Sequence, residues 1–107
     1  MFATEIWMNR KPGGNGAVRD EATGAEQVAT IIRKTQGSSG GWVQLSGPGK
    51  FMTITSEGTQ FAVSVTVPGK PPKRSGIGRV DMQIAIDAAA RFLESGALLE
   101  KFTWSAA

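Results

Sequence analysis

A chain of 107 residues, 40% of them hydrophobic and 20% charged, is long enough for one folded domain and too short for two. It contains no histidine, cysteine or tyrosine, which excludes Ser–His and Cys–His catalytic pairs, disulfides and metal sites with nitrogen or sulfur ligands. The net charge of +3 favours an anionic partner only mildly. We therefore expect one non-enzymatic domain without a cofactor or metal.

The N-terminal third of the sequence predicts a strand, a loop and a helix. Apolar residues alternate over residues 2–9, which indicates a strand. The glycine-rich segment 10–22 is expected to be a loop. A helix follows, because Thr23 and Glu26 have the spacing of a capping box, apolar residues then recur at helical spacing, and Gly37 is a suitable C-terminal cap.

The middle of the chain predicts three consecutive strands, over residues 42–46, 51–56 and 59–67. The turns between them are short, which implies antiparallel pairing. In the third strand, large apolar residues alternate with small ones, as expected of a sheet with one buried and one wet face. The segment 68–79 holds three prolines and three glycines, so we expect a loop there rather than a helix or a central strand.

The C-terminal third predicts a second helix over 82–95, capped by Asp81 at its start and by Gly96 at its end, and then a strand over 98–105. The predicted order is β-α-β-β-β-α-β. This is an α+β domain in which two helices lie on one face of a mainly antiparallel sheet. Neither a signal peptide nor an apolar run of about 20 residues is apparent, so we expect a cytoplasmic location.

A basic segment before the second helix is the first candidate binding element. Its residues are Lys70, Lys73, Arg74 and Arg79, and because residues 68–79 contain no acidic residue, we expect these charges to be free of neighbouring acids. Such a group could contact phosphate or an acidic protein surface, although basic residues of a loop more often serve only solubility. The nearby glycines do not have the spacing of a phosphate-binding loop.

The three tryptophans all fall in predicted strands. Trp7 is the second candidate for partner binding, because it lies opposite the apolar face of the first strand. Trp42 and Trp104 are expected to pack in the core or within the sheet.

The last helix and strand resemble one known family. Phe92 lies in an alanine-rich helix, Gly96 follows four residues later, and Trp104 eight residues after that. This spacing is similar to that of the first-numbered family of immunity proteins from bacterial polymorphic-toxin systems. The resemblance implies a small cytoplasmic α+β protein that covers the active site of a partner toxin, or an orphan copy carried on a mobile element. Members that block nucleases often present acidic surface, whereas this chain is net basic.

The predicted function is therefore binding of another protein without catalysis. Two alternatives stay open. One is a nucleic-acid-binding module that uses the basic segment 70–79, and the other is a small-ligand-binding domain with a pocket between helices and sheet. A homodimer through an edge strand is compatible with all three, because an open sheet has two edges to protect.

Overall fold

The structure is a computed structural model that describes residues 1–9, 16–35, 39–69, 73–98 and 105–106. Within them the elements are β1 (Glu5–Asn9), β2 (Ala17–Glu21), α1 (Ala25–Thr35), β3 (Ser39–Gly47), β4 (Lys50–Glu57), β5 (Gln60–Val67), β6 (Lys73–Val80), α2 (Met82–Ser95) and β7 (Ser105–Ala106). The strands form one sheet in the order β2-β1-β3-β4-β5-β6-β7, and every pairing in it is antiparallel.

One face of this sheet is apolar and covered by both helices. Alternate residues of the central strands supply that face, and the register aligns Ile6, Leu45, Met52 and Val65 in one row across four strands. Helix α2 packs over β3, β4 and β5, whereas α1 packs over β3 and against α2. The predicted α+β class, with two helices on one face of an antiparallel sheet, is confirmed.

Helix α2 begins and ends where the sequence predicts. The Asp81 carboxylate accepts a hydrogen bond from the Ile84 N–H at 2.9 Å, and Gly96 adopts φ 72°, a left-handed conformation that favours glycine. The residues of α2 buried in the core are Ala85, Ala88, Ala89, Phe92 and Leu93. The small alanine side chains let this helix approach the sheet closely.

Helix α1 begins at Ala25, but the predicted capping box is wrong in detail. The Thr23 N–H donates to the Oε1 atom of Gln27 at 2.7 Å, so Gln27 rather than Glu26 reaches back to it. The helix begins one residue later than that box requires, which places the glutamine at the third helical position. The predicted cap at Gly37 lies outside the described residues.

Two segments that we predicted to be loops contain strands. Strand β2 lies inside the predicted loop 10–22 and pairs with β1. All five of its residues are exposed, so the sequence of β2 shows no apolar periodicity. Its extended conformation follows from pairing with β1. Residues 10–15 of that loop lie outside the described part.

Strand β6 occupies most of the segment 68–79 and pairs with β5. All three prolines precede residue 73, so none of them removes an N–H from this ladder. Gly78 and Gly76 pair with Val63 and Ser64 on either side of a register shift, and Gly78 has φ 80°. Glycine is the residue that such a bulge accepts most readily. The glycines therefore permit a strand here, although we predicted a loop because of them.

The last predicted strand is confirmed only near its end. Leu98 is not in a strand, and β7 pairs Ser105 and Ala106 with β6. Residues 99–104, including Trp104, lie outside the described part.

The first residues of the chain close the C-terminal end of α2. The Phe2 N–H donates to the carbonyl oxygens of Leu93 (2.8 Å) and Glu94 (3.1 Å), and the Ala3 N–H donates to that of Leu93 (3.1 Å). Carbonyls in the last turn of a helix have no partner within the helix, so this contact satisfies groups that would otherwise need water. It fixes the start of β1 against the end of α2.

The Phe2 ring fills the space between these elements and leaves no room for a side chain at two glycines. It meets Phe92 edge-on, with ring centroids 5.4 Å apart. A Cβ atom at Gly47 would overlap the Phe2 ring, and one at Gly96 would lie 2.9 Å from it. Van der Waals contact between carbon atoms needs about 3.5 Å or more. Both positions therefore require glycine on packing grounds.

We expect Gly47→Ala to lower the free energy of unfolding by about 1–3 kcal/mol, because the new methyl group displaces the Phe2 ring from its site. Urea denaturation followed by circular dichroism measures this loss. Gly24→Ala is the matched control, since nothing lies within 4 Å of a Cβ atom there. Equal stability of the two variants would contradict the packing of Phe2.

Candidate functional site

In the described residues, the face of the sheet opposite the helices is uncovered. We call it the open face. Its side chains alternate with those of the core, and all but Thr66 are partly exposed. They are Glu5, Trp7, Trp42, Gln44, Ser46, Phe51, Thr53, Thr55, Ala62, Ser64 and Thr66. The open face is thus polar but largely uncharged, and it includes three aromatic residues.

The strand register arranges these side chains in rows across the sheet. One row runs from Trp7 through Gln44 and Thr53 to Ser64 without a charged residue. The neighbouring rows contain the other two aromatic residues, Trp42 and Phe51, each next to hydroxyl side chains. Among the described side chains, the charged groups of the open face lie toward its two margins, Glu5 and Arg19 on β1 and β2 at one side and Glu57 and Arg79 on β4 and β6 at the other.

The first margin is a cluster of three side chains on β1 and β2. Arg19 lies directly across from Trp7, and its guanidinium binds both carboxylate oxygens of Glu5 at 3.0 and 3.1 Å. The Trp7 indole N–H donates to the same carboxylate at 3.1 Å. These hydrogen bonds, that from Arg19 first, hold the pKa of Glu5 below its ordinary value of 4.5. Trp7 is therefore held in place by a charged group.

The second margin is an ion pair between β4 and β6. The Arg79 Nε atom lies 3.0 Å from the Glu57 carboxylate, and both side chains are substantially exposed. Our prediction that the basic segment has no acidic neighbour is wrong for Arg79. Its partner is 22 residues away in the sequence and reaches it only through the pairing of β4, β5 and β6.

The structure places Lys73, Arg74 and Arg79 on one strand, β6, and Trp7 apart from them. Trp7 and Arg79 lie near opposite margins of the open face, with β3, β4 and β5 between them. Lys73 and Arg74 are in a strand, where their backbones pair with Val67 and Thr66, instead of in the predicted loop. The fifth candidate, Lys70, lies outside the described residues.

Two aromatic residues of the open face did not figure among the predicted binding residues. Trp42 pairs with Thr55 across the strands and is half-buried on the open face, not in the core beneath the helices. Phe51 alternates with the fully buried Met52, which places it on the open face too. Strict alternation against the buried residues of the same strands is the signal that identifies both.

A depression of about 410 Å³ lies beside the first margin, between the N-terminus and the end of β2. Its lining residues are Met1, Thr4, Glu5, Arg19, Glu21 and Ala22. It is open to solvent at the edge of the sheet. The small-ligand alternative places its pocket between helices and sheet, which is a different position.

Comparisons with protein-family models, with curated proteins and with solved structures find no match to this chain. In the part of the chain that the structure describes, no helix is long and apolar enough to cross a membrane.

We expect the contact of Trp7 with Glu5 to break on acidification. Because the folded-state pKa of Glu5 lies below 4.5, its carboxylate stabilises this arrangement at neutral pH, and the contribution is lost as the pH falls through the folded pKa. The indole N–H resonance of Trp7, followed by NMR from pH 7 downward, should shift with a midpoint below 4.5. Glu5→Gln should abolish that titration. A midpoint at or above 4.5 would contradict the assigned hydrogen bonds.

Proposed function

We propose that the chain is a non-enzymatic protein-binding domain and that the open face is its binding surface. The supporting observation is the distribution of residue types over that face. Uncharged polar side chains and the aromatic residues Trp42 and Phe51 occupy its middle, whereas ion-paired charges occupy its margins, with Trp7 beside the first of them. The centre of a protein interface is depleted in charged residues and enriched in aromatic ones, with a polar rim around it.

The size of the open face suits this role. From β2 to β6 it spans five inter-strand spacings, about 24 Å at roughly 4.8 Å each. Strands of eight or nine residues, such as β3, β4 and β5, extend for about 25 Å in the other direction. The projected area, on the order of 600 Å², approaches the roughly 800 Å² that each partner buries in a standard interface. Trp7 and Trp42 are the side chains best suited to anchor a partner there.

The carboxylates on this face are poorly suited to catalysis. Glu5 is held ionised by Arg19 and Trp7, whereas a general acid needs a raised pKa. Glu57 is engaged by Arg79. Among the described residues, no group of three or more carboxylates could hold a metal ion. We propose that the domain acts by covering its partner.

The resemblance to immunity proteins supports a specific kind of partner. We propose a toxin enzyme whose active site is blocked when the open face docks beside it, in the cytoplasm of a bacterial cell. A largely uncharged surface would achieve this by excluding water and substrate, with no reaction on this chain. An orphan copy on a mobile element would retain the same surface.

Binding of a protein is favoured over binding of a nucleic acid by the state of the charges. Nucleic-acid binding depends on positive charge free to neutralise phosphates. On the open face, Arg19 and Arg79 are each already paired with a carboxylate. The aromatic residues alone would stack bases, but these two arginines, the cations whose side chains are described on that face, are not free to add the charge that single-strand binding also requires.

A charge placed in the middle of the open face tests this proposal. Thr53→Arg puts a cation between Gln44 and Ser64, where a docked partner would have to bury it unpaired, at a cost of several kcal/mol. Thr30→Arg is the control, because Thr30 is exposed on α1, on the other side of the molecule. Tagged protein is used to capture partners from nuclease-treated lysate of the source organism, with quantification by mass spectrometry.

We expect one stoichiometric protein that survives moderate salt, is retained by Thr30→Arg and is lost with Thr53→Arg. The same partner should be retained by a variant with alanine at Lys70, Lys73 and Arg74. If it is instead retained by Thr53→Arg and lost with the triple alanine variant, the basic segment is the binding surface and the proposal is wrong. Enrichment only of proteins that depend on nucleic acid would favour the alternative function.

A further inference from the structure

In the described sheet, β2 is an end strand that pairs only with β1. All five of its residues are exposed. An end strand presents unpaired N–H and C=O groups, and these can template pairing with another chain. The main-chain groups on the outer side of β2 therefore decide whether this edge can associate.

The hydrogen bonds show which groups point outward. The Ala22 N–H donates to the Thr4 carbonyl at 3.0 Å, and these two residues are opposite each other when the register of β1 and β2 is continued by one residue. In an antiparallel ladder, alternate residues bond to the same neighbour. The even-numbered residues of β2 thus bond to β1, and Ala17, Arg19 and Glu21 direct their main-chain groups away from the sheet.

Both outward groups of Glu21 are already occupied by side chains of the same molecule. Its N–H donates to the Asp20 carboxylate at 2.9 Å. Its carbonyl accepts from the Nε2 atom of Gln27 on α1 at 2.9 Å. Gln27 is held in turn by the Thr23 N–H, which donates to its Oε1 atom at 2.7 Å. An incoming strand would have to displace all of these contacts to pair at Glu21.

The remaining outward residues offer little to a second copy of the chain. Symmetric pairing centred on Arg19 would place two arginines directly opposite each other, which is unfavourable. A register that sets Arg19 against Glu21 of the other copy needs the occupied groups of Glu21 twice. What remains of β2 is the three-residue segment 17–19, in which Ala17 and Arg19 direct their main-chain groups outward, and it is shorter than the five or six residues of an ordinary strand.

We infer that Asp20 and Gln27 close the free edge of β2 against strand pairing, so that self-association through this edge is prevented. This inference stands apart from the proposed function, since it concerns the edge of the sheet and not the open face. The sequence is compatible with a homodimer formed through an edge strand. The inference excludes β2 as that edge strand.

The double variant Asp20→Ala with Gln27→Ala tests the inference. We expect it to dimerise reversibly in sedimentation-velocity experiments between about 10 µM and 1 mM, while the native protein stays monomeric over the same range. The matched control replaces Asp87 and Gln83, an exposed hydrogen-bonded pair of the same residue types on α2, and should behave as the native protein does. In the dimer, the amides of Arg19 and Glu21 should gain protection from hydrogen exchange.

A folded double variant that stays monomeric over this range would overturn the inference. So would a native dimer protected at Arg19 and Glu21. A measurement on the native protein keeps the inference testable if the double variant does not fold. Both amides point outward from β2, but only that of Glu21 is bonded to Asp20, so it should exchange severalfold more slowly than that of Arg19. Equal exchange rates at the two amides, after correction for the intrinsic exchange rate of each, would contradict closure of the edge.

Discussion

The burial of one face of the sheet beneath two helices is the constraint on which the rest of the structure depends. Each strand alternates, so every residue that turns toward the helices commits its neighbours to the opposite side. Burying apolar surface contributes about 25 cal/mol per Å², which fixes the register through side chains such as Ile54 and Val63. Both helices of the described chain are used on that side. The open face lies outside this core, so packing of the core does not determine which residues it carries.

The ends of the elements are held by contacts that the helices and strands make with one another. Phe2 joins the start of the chain to the last turn of α2 and to Gly47 at the end of β3. At the end strand of the sheet, Gln27 joins α1 to β2. These contacts leave the open face as the broad uncovered surface of the described sheet.

The parts of the fold that the sequence predicts are those determined locally. Asp81 and Gly96 are residue types typical of helix caps, so they indicate the two ends of α2. The apolar alternation in residues 59–67 predicts β5. Strand β6 was not predicted because we treated glycine and proline alike as residues that exclude a strand, although only proline removes a ladder hydrogen bond. Arg79 was misjudged for a different reason. Its partner Glu57 is two strands away, and no local pattern encodes that distance.

The most direct measurement of the central claim is site-specific photo-cross-linking from the open face in the source cells. A benzophenone amino acid replaces Thr53 in one variant and Thr30, on the exposed side of α1, in another. We expect a discrete adduct with one protein from position 53 and none from position 30. An adduct formed from position 30 and absent from position 53 would contradict the assignment of the open face as the binding surface.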